Sequence, residues 1–311
     1  MFRQSSRLIS RRTFSPMAAR QFTAMQPRFY ATDGEGRKNI AVVFSGAGFL
    51  DGTEITEATS LLISLAQKPL WRVTYFAPDG NIEEVFDHST RMLDRNEVRN
   101  IQVETSRITR DKVLGLEALN TEAGYDAVIF PGGYGAGLVL SNYSKENRGG
   151  DPLAVDPHIK RIIETFHSNG KPMGFMCLSS ILPSIVLGSK NGGPGVIVTA
   201  GDESGVANDI SSWGNTVKAS SVDSVVVDED NKILSTPAYL ANNVNPYDIY
   251  QGSEALISEL ADLFRGGKKG GEGAKASLGD LEEIFEESLG KEEWARQKAQ
   301  IFRQSGDAKP E

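Results

Sequence analysis

The feature that most constrains the fold is an alternation of short apolar runs with longer stretches of helical periodicity between residues 39 and 264. The apolar runs have the length of strands, and the intervening segments are long enough to form crossover helices. Strands connected in this way run parallel and carry helices on both faces of the sheet. The alternation therefore predicts an α/β domain with three layers and a mainly parallel central sheet.

The individual elements follow from periodicity and from the breakers between them. Strands are predicted at residues 39–44, 71–76, 126–130, 172–176, 196–199, 224–228 and 233–235. Helices are predicted at residues 54–67, 96–108, 157–168, 179–187 and within 246–264. Because ligands of parallel sheets bind at the carboxyl ends of the strands, we expect the functional residues in the loops that follow them.

The N-terminal segment has the composition of a mitochondrial transit peptide. Residues 1–31 contain six arginines and several serines, and the first acidic residue is Asp33. Basic, hydroxyl-rich and acid-poor composition is typical of such presequences. We therefore assign residues 1–30 to a transit peptide and expect the protein in the mitochondrial matrix, with the α/β domain at residues 31–265.

The C-terminal segment is predicted to be a separate helical extension. Residues 266–277 are rich in glycine and lysine and have the composition of a flexible linker. Apolar residues then recur at helical spacing within residues 278–311. Two interpretations remain open for this tail: a helix packed on its own domain or on a second copy, or a docking helix for another protein through residues 278–305.

Bulk composition excludes several classes of protein. A net charge of −8 provides no basic surface for nucleic acid. No apolar run approaches the roughly 20 residues that a membrane-spanning helix needs. The single cysteine, Cys177, precludes an internal disulfide and a cysteine-based zinc site, and the three histidines show no metal-binding spacing, so no metal is expected.

The most informative stretch surrounds Cys177. A buried strand is predicted to lead directly into this cysteine, and a helix follows at once. Such a turn exposes a nucleophile at the top of the sheet and places its sulfur near a helix N-terminus, which favours the reactive thiolate. The alternative is a buried, unreactive cysteine that packs as a small apolar residue.

Two further loops are predicted to lie beside Cys177. The Gly-rich turn at residues 131–137 follows a central strand, and the N–H groups of Gly133 and Leu178, with neighbouring Gly132, could form an oxyanion pocket. Glu54 ends the loop after the first strand. This residue could either cap the next helix together with Asp51 or transfer protons for the thiol.

These segments resemble the ThiJ/PfpI superfamily of class I glutamine amidotransferase-like proteins, and within it the ElbB-like branch named after an enhancing-lycopene-biosynthesis protein. The resemblance covers roughly residues 38–262 and includes SGAGFLDGTEITEA at 45–58, DHST at 87–90, FPGGYGAGLVLSNY at 130–143, GKPMGFMCLSS at 170–180 and VDEDNKILSTPAYL at 227–240. It implies a flavodoxin-like sandwich, usually dimeric, in which Cys177 is the nucleophile, Glu54 the neighbouring acid and Gly133 part of the oxyanion turn.

Some members of this superfamily convert glyoxal or methylglyoxal to 2-hydroxy acids without a cofactor, and a deglycase-type activity has also been proposed for them. The resemblance therefore implies a small dicarbonyl substrate, a hemithioacetal on Cys177 and proton transfer by Glu54. The alternative is a non-enzymatic redox sensor or interaction protein in the mitochondrion, with an incomplete catalytic triad.

One departure from the superfamily pattern concerns histidine. Glutaminases and protease-like members pair their cysteine with a histidine, whereas this chain has Leu178 after Cys177 and no histidine after residue 167. Glutaminase and peptidase activity are therefore not expected. His88 could approach the site from another loop or be an ordinary polar residue. Likewise, Arg107 and Arg110 could bind an anion or form salt bridges, and Tyr239 could line the pocket or pack in the core.

Overall fold

The computed structural model describes residues 37–119, 124–144, 152–201 and 205–265. Within these ranges, seven strands form one sheet. All neighbouring pairs in the sheet are parallel except one antiparallel pair at its edge. The predicted α/β fold with a mainly parallel sheet is therefore confirmed.

The strands of this sheet are β1 (Lys38–Val43), β2 (Trp71–Phe76), β5 (Val113–Leu114), β6 (Ala127–Phe130), β7 (Met173–Met176), β10 (Val226–Asp228) and β11 (Ile233–Thr236). They lie side by side in the order β10-β11-β7-β6-β1-β2-β5, and β10 and β11 form the antiparallel pair. Two short pairs lie outside it: β3 (Phe86–Asp87) with β4 (Met92–Leu93), and β8 (Ile197–Val198) with β9 (Thr216–Val217). The α-helices are α1 (Ile55–Ala66), α2 (Ile101–Thr109), α3 (Gly135–Leu138), α4 (Pro157–Ser168), α5 (Ile181–Val186), α6 (Gly205–Ser212) and α7 (Pro246–Phe264).

Each face of the sheet has its own hydrophobic core, because alternate residues of a strand point to opposite faces. On one face, Ile40 and Val42 of β1 pack with residues of α1 and α7. On the other face, Ala41 and Val43 of the same strand pack with residues of α4 and α5. The central strands are thus covered on both sides, which gives the predicted three layers.

Most predicted elements are present, with shifted ends. The largest shift is in α2, which was predicted from residue 96 but begins at Ile101. The side chain of Asn100 accepts a hydrogen bond from the Val103 N–H and so fixes the N-terminus of the helix. The helix predicted at 179–187 is preceded by a 3₁₀ helix, Cys177–Ser180, and regular α5 begins only at Ile181.

The carboxyl ends of four adjacent parallel strands, β11, β7, β6 and β1, lie side by side. The loops that leave these ends contain Glu54, Gly132, Gly133, Cys177 and Leu178, so the topology brings these predicted site residues together, whereas His88 lies in the β3–β4 hairpin.

The predicted transit peptide, the linker at 266–277 and the tail at 278–311 lie outside the described residues. No helix among the described residues is long and apolar enough to cross a membrane.

Candidate active site around Cys177

The strand-to-helix turn predicted at Cys177 is present. Cys177 follows β7 directly and has a φ of 53°, in the left-handed region that non-glycine residues rarely adopt. The Ser179 side chain stabilises the turn: its hydroxyl lies 2.9 Å from the Met176 nitrogen, whose N–H it accepts, and 2.8 Å from the Phe130 carbonyl oxygen, to which it donates. The turn therefore joins β7 to the end of β6 and fixes the position of the sulfur.

The Cys177 side chain is 7% exposed, and two backbone N–H groups face its sulfur. They belong to Leu178 and Gly133, the two donors that the sequence singled out. Burial raises the pKa of the Cys177 thiol well above its usual range, and the nearby charge of Glu57 raises it further, whereas the two N–H groups lower it. Burial outweighs the donors, so the expected stabilisation of a free thiolate by the turn is not found.

The carboxyl group that faces this thiol belongs to Glu57, which the sequence analysis did not identify. Glu57 lies in the first turn of α1 and is fully buried. Its Oε2 accepts a 2.8 Å hydrogen bond from the Gly132 N–H. Its Oε1 has no hydrogen bond of ordinary geometry among the described residues, although the Cys177 side chain and the Tyr239 N–H both face the carboxyl.

The environment of Glu57 favours its neutral form. Burial, and secondarily the charge of Glu54, raise the pKa of Glu57 to about 8, against the lowering effect of the neighbouring hydrogen bonds. A carboxyl group with a pKa near neutral pH can both accept and return a proton during a reaction cycle. Glu57 therefore has the position and the acidity of a general acid–base group for Cys177.

Glu54 is the N-cap of α1, as the capping interpretation predicted, and not the acid beside the thiol that the resemblance implied. Its Oε2 accepts a 2.7 Å hydrogen bond from the Glu57 N–H. The expected capping pair with Asp51 does not form, because Asp51 accepts a hydrogen bond from the Phe86 N–H. The carboxyl that contacts Cys177 is thus one helical turn further along the chain than expected.

Glycine at position 132 is required by close packing. A Cβ there would lie 2.4 Å from both the Cys177 Cβ and Glu57 Oε2, closer than atoms can approach. The N–H of Gly132 is also committed to Glu57, so among the predicted pocket donors only Gly133 and Leu178 face the sulfur. The absence of a side chain at 132 is what allows nucleophile and acid to meet.

The loop after β1 supports the Gly-rich turn through three backbone hydrogen bonds. The Tyr134 N–H donates to the Phe49 carbonyl at 2.8 Å, and the Gly135 N–H donates to the Gly52 carbonyl at 2.9 Å. In return, the Glu54 N–H donates to the Gly132 carbonyl at 2.9 Å. These bonds hold the Gly133 N–H and the start of α1 in fixed positions relative to each other.

His88 supports this loop and is not brought to Cys177. Its Nε2 lies 3.3 Å from the Leu50 nitrogen and accepts that N–H, and its Nδ1 lies 3.0 Å from the Phe86 carbonyl oxygen, to which it donates. The buried carboxylate of Asp51 lies 3.8 Å from His88 Nε2 and 3.6 Å from Arg99. Burial raises the pKa of Asp51 above its ordinary value.

For some of the other residues with two interpretations, the structure distinguishes between them. Arg107 forms an ion pair with Glu104 at 3.0 Å, as the salt-bridge interpretation predicted. Tyr239 is 37% exposed, so its ring is not in the core. His167 bonds to Asn231 at 2.8 Å, away from the thiol. No group of three potential metal ligands occurs among the described residues.

A signal for Glu57 was present in the sequence. The buried positions of α1 include Ala58, Leu61 and Leu65, and Glu57 falls on the same stripe, four residues before Leu61. An acidic residue on the buried face of an amphipathic helix is uncommon unless it is paired or functional. The spacing could therefore have distinguished Glu57 from Asp51 and Glu54 in the preceding loop.

The chain is similar in sequence to known proteins. The chain is 34% identical over 233 residues to the human glutamine amidotransferase-like class 1 domain-containing protein 3, mitochondrial, covering 72% of this chain and 82% of that protein. It is 32% identical over 258 residues to the ES1 protein homolog, mitochondrial, of Rattus norvegicus, covering 80% and 92%. No family model matches the chain.

A solved structure agrees with these relatives. The isoprenoid biosynthesis protein with amidotransferase-like domain from Ehrlichia chaffeensis superimposes with a TM-score of 0.64 at 31% identity. The match covers 72% of this chain and 99% of that one. The similarity therefore extends over nearly the whole length of that protein.

Proposed function

We propose, from the premise that this chain belongs to the ThiJ/PfpI superfamily of class I glutamine amidotransferase-like proteins, that it is a cofactor-independent glyoxalase-type enzyme acting on glyoxal or methylglyoxal. The observation that carries the proposal is the buried pair of Cys177 and Glu57, with the Gly133 and Leu178 N–H groups at the sulfur.

The first step is addition of the Cys177 sulfur to the aldehyde carbon. Because burial keeps the thiol protonated, an ionised Glu57 accepts the thiol proton as the S–C bond forms. The aldehyde oxygen gains the electron pair of the C=O bond, and the N–H groups of Gly133 and Leu178 are the donors available to stabilise it. Glu57 then gives the thiol proton to this oxygen, which yields a neutral hemithioacetal and restores the carboxylate form of Glu57.

The second step is an internal redox exchange between two carbons. Glu57 removes the proton from the former aldehyde carbon to give an enediol-like species and returns a proton to the adjacent carbon. The first carbon is thereby oxidised to a thioester and the second reduced to an alcohol. Water then cleaves the thioester, which releases a 2-hydroxy acid and restores the thiol, so no external oxidant or cofactor is needed.

The alternative, a redox sensor, is less well supported by this geometry. Oxidation of cysteine proceeds through the thiolate, and both burial and Glu57 disfavour that form at Cys177. An acid–base group held against the thiol has a use in proton transfer that a sensor does not require. We therefore place the enzyme ahead of the sensor.

The proposal also includes where the protein resides and how it assembles. The related human and rat proteins carry the word mitochondrial in their names, and together with the composition of residues 1–30 this supports residence in the mitochondrial matrix. We further propose a homodimer, and a protein partner that binds through residues 278–305.

The test is consumption of glyoxal and methylglyoxal by the purified protein, in buffer free of Tris and added thiols, with the 2-hydroxy acid quantified. Cys177→Ala and Glu57→Gln should each abolish product formation, whereas Glu54→Gln, which retains an oxygen able to cap α1, should keep most of it. Absence of product with the unmodified protein would refute the proposal for these aldehydes.

A further inference from the structure

Two adjacent strands of the sheet end in the same unusual way. Strands β7 and β11 are parallel and in register, so that their last residues, Met176 and Thr236, are paired. Just beyond these ends lie Cys177, with φ of 53°, and Ala238, with φ of 45°. Both are non-glycine residues in the left-handed region, where a Cβ is disfavoured.

The conformation of Ala238 is enforced by its surroundings. The residue is 2% exposed and begins the 3₁₀ helix Ala238–Leu240. This short helix is closed by hydrogen bonds from the Leu240 N–H to the Pro237 carbonyl and from the Ala241 N–H to the Ala238 carbonyl, each 3.0 Å long. Strained backbone of this kind clusters at functional sites. The turn at Ala238 is therefore expected to direct a particular group toward the site.

The group that the turn presents is the N–H of Tyr239. This N–H faces the carboxyl group of Glu57. Glu57 Oε2 already accepts the Gly132 N–H, whereas Oε1 has no hydrogen bond of ordinary geometry. The Tyr239 N–H thus faces a carboxyl group with one oxygen that has no hydrogen bond of ordinary geometry among the described residues.

We propose that the left-handed turn at Ala238 positions the Tyr239 N–H as the second backbone donor of Glu57, and that the hydrogen bond to Oε1 forms when Glu57 ionises. Each carboxylate oxygen then has one N–H partner, which offsets the loss of water around a buried charge. Tyr239 is a positioning residue through its backbone. The inference rests on the proposed use of Glu57 as the base.

The test replaces one backbone N–H with oxygen. Incorporation of the α-hydroxy analogue of tyrosine at position 239 of the full-length protein converts that amide to an ester and leaves the side chain unchanged. The same analogue at position 247 is the matched control, because the Tyr247 N–H donates to the Asn245 side chain at the start of α7, outside the site.

The readout is the pH dependence of Cys177 alkylation by iodoacetamide, which needs no aldehyde turnover. Ionised Glu57 should accelerate alkylation by accepting the thiol proton, and Glu57→Gln should remove this phase and leave only the ionisation of the thiol itself at higher pH. The ester at 239 should move the midpoint upward by about one pH unit, since loss of a hydrogen bond to the charged form disfavours ionisation. The ester at 247 should leave the midpoint unchanged.

A midpoint that does not move with the ester at 239, or moves equally with the ester at 247, would overturn the inference. Should the ester protein fail to fold, Ala238→Val and Ala238→Gly provide a second test. Valine is strongly disfavoured in the left-handed region, so it should raise the midpoint, whereas glycine should preserve it. Equal midpoints in these two variants would also overturn the inference.

Failure of the proposed enzyme function would be seen separately. It would appear as absence of 2-hydroxy acid from unmodified protein, with the alkylation midpoints unaffected.

Discussion

Glu57 and Cys177 face each other across Gly132, where a Cβ would lie 2.4 Å from both the Cys177 Cβ and Glu57 Oε2. Both groups are buried, and the pKa of each is raised, that of Glu57 to about 8. The site therefore holds its nucleophile and its acid in neutral forms and uses no histidine at the sulfur among the described residues. The activity of the site should therefore depend on the pH at which this pair loses a proton.

The first prediction concerns the pH dependence of glyoxalase activity. The base form of Glu57 is required to accept the thiol proton, and its pKa is raised to about 8. The value of kcat/KM should therefore rise about tenfold per pH unit below that pH and level off above it. Initial rates of methylglyoxal consumption between pH 6 and about pH 9.5 measure this profile.

Glu54→Gln is the control for this profile, since Glu54 caps α1 and does not face the thiol. This substitution removes the carboxylate charge that contributes to the raised pKa of Glu57. The midpoint of the kcat/KM profile of the variant should therefore lie at a slightly lower pH. A profile that Glu54→Gln abolishes and Glu57→Gln leaves intact would reverse the two assignments.

The second prediction is that Glu57 lowers the stability of the fold as pH rises. A carboxyl whose pKa is raised on folding binds its proton more tightly in the folded than in the unfolded state. Folding stability should consequently fall between the ordinary pKa near 4.5 and the raised value near 8. The total loss should be on the order of 3–5 kcal/mol, since each unit corresponds to about 1.4 kcal/mol.

Urea denaturation of the unmodified protein and of Glu57→Gln at pH 5, 6.5 and 8 measures this loss. Glutamine cannot ionise, so its stability relative to the unmodified protein should increase with pH. A difference between the two proteins that stays constant over this range would show that Glu57 does not titrate in the folded site.

The third prediction is that Gly132→Ala disrupts the site by steric overlap. The added methyl would overlap the Cys177 Cβ and Glu57 Oε2 and would lie 2.8 Å from the Met176 carbonyl oxygen. We expect a destabilisation of about 2–4 kcal/mol and loss of most activity. Thermal unfolding and the methylglyoxal assay measure the two effects.

Gly205→Ala is the matched control for this substitution. A Cβ at Gly205, the first residue of α6, would meet no heavy atom of the described residues within 4 Å, so alanine should be neutral or slightly stabilising. If Gly132→Ala were as stable and active as Gly205→Ala, the close approach of Glu57 and Cys177 across residue 132 would be wrong.

The fourth prediction separates a supporting from a catalytic His88. The imidazole accepts the Leu50 N–H in the loop that positions the Gly-rich turn. His88→Leu removes this acceptor and should lower kcat about tenfold, the equivalent of one lost hydrogen bond. His88→Gln supplies an amide oxygen and should recover most of the loss. Activity as low as that of Cys177→Ala in both variants would instead place His88 in the chemistry.

The sequence was sufficient to predict the architecture because burial on both faces imposes an apolar pattern on each central strand. Strand β2 and helix α4 occur at the predicted residues, and the turn at Cys177 follows from a buried strand that meets a helix. Shorter elements such as α3 and the β3–β4 hairpin were missed, since two to four residues carry too little periodicity.

The choice between Glu54 and Glu57 could not be made from the loop alone. Both acids lie near the start of α1, and the residue at which the helix begins decides which one points inward. Because Ile55 is the first helical residue, the Glu54 side chain caps the helix by accepting the Glu57 N–H, and the Glu57 side chain faces the sheet. Helix ends are the least certain feature of a sequence-based prediction, and here one boundary determines a functional assignment.

The order of strands in the sheet has a consequence for the nascent chain. The site combines Glu57, Gly132, Cys177 and Tyr239 from segments that lie far apart in sequence and meet only when β1, β6, β7 and β11 are aligned. Contacts of such long range form late in folding. The thiol of an incompletely folded chain is therefore open to solvent and lacks its acid. The time at which Cys177 becomes protected from alkylating reagents therefore reports when the sheet is complete.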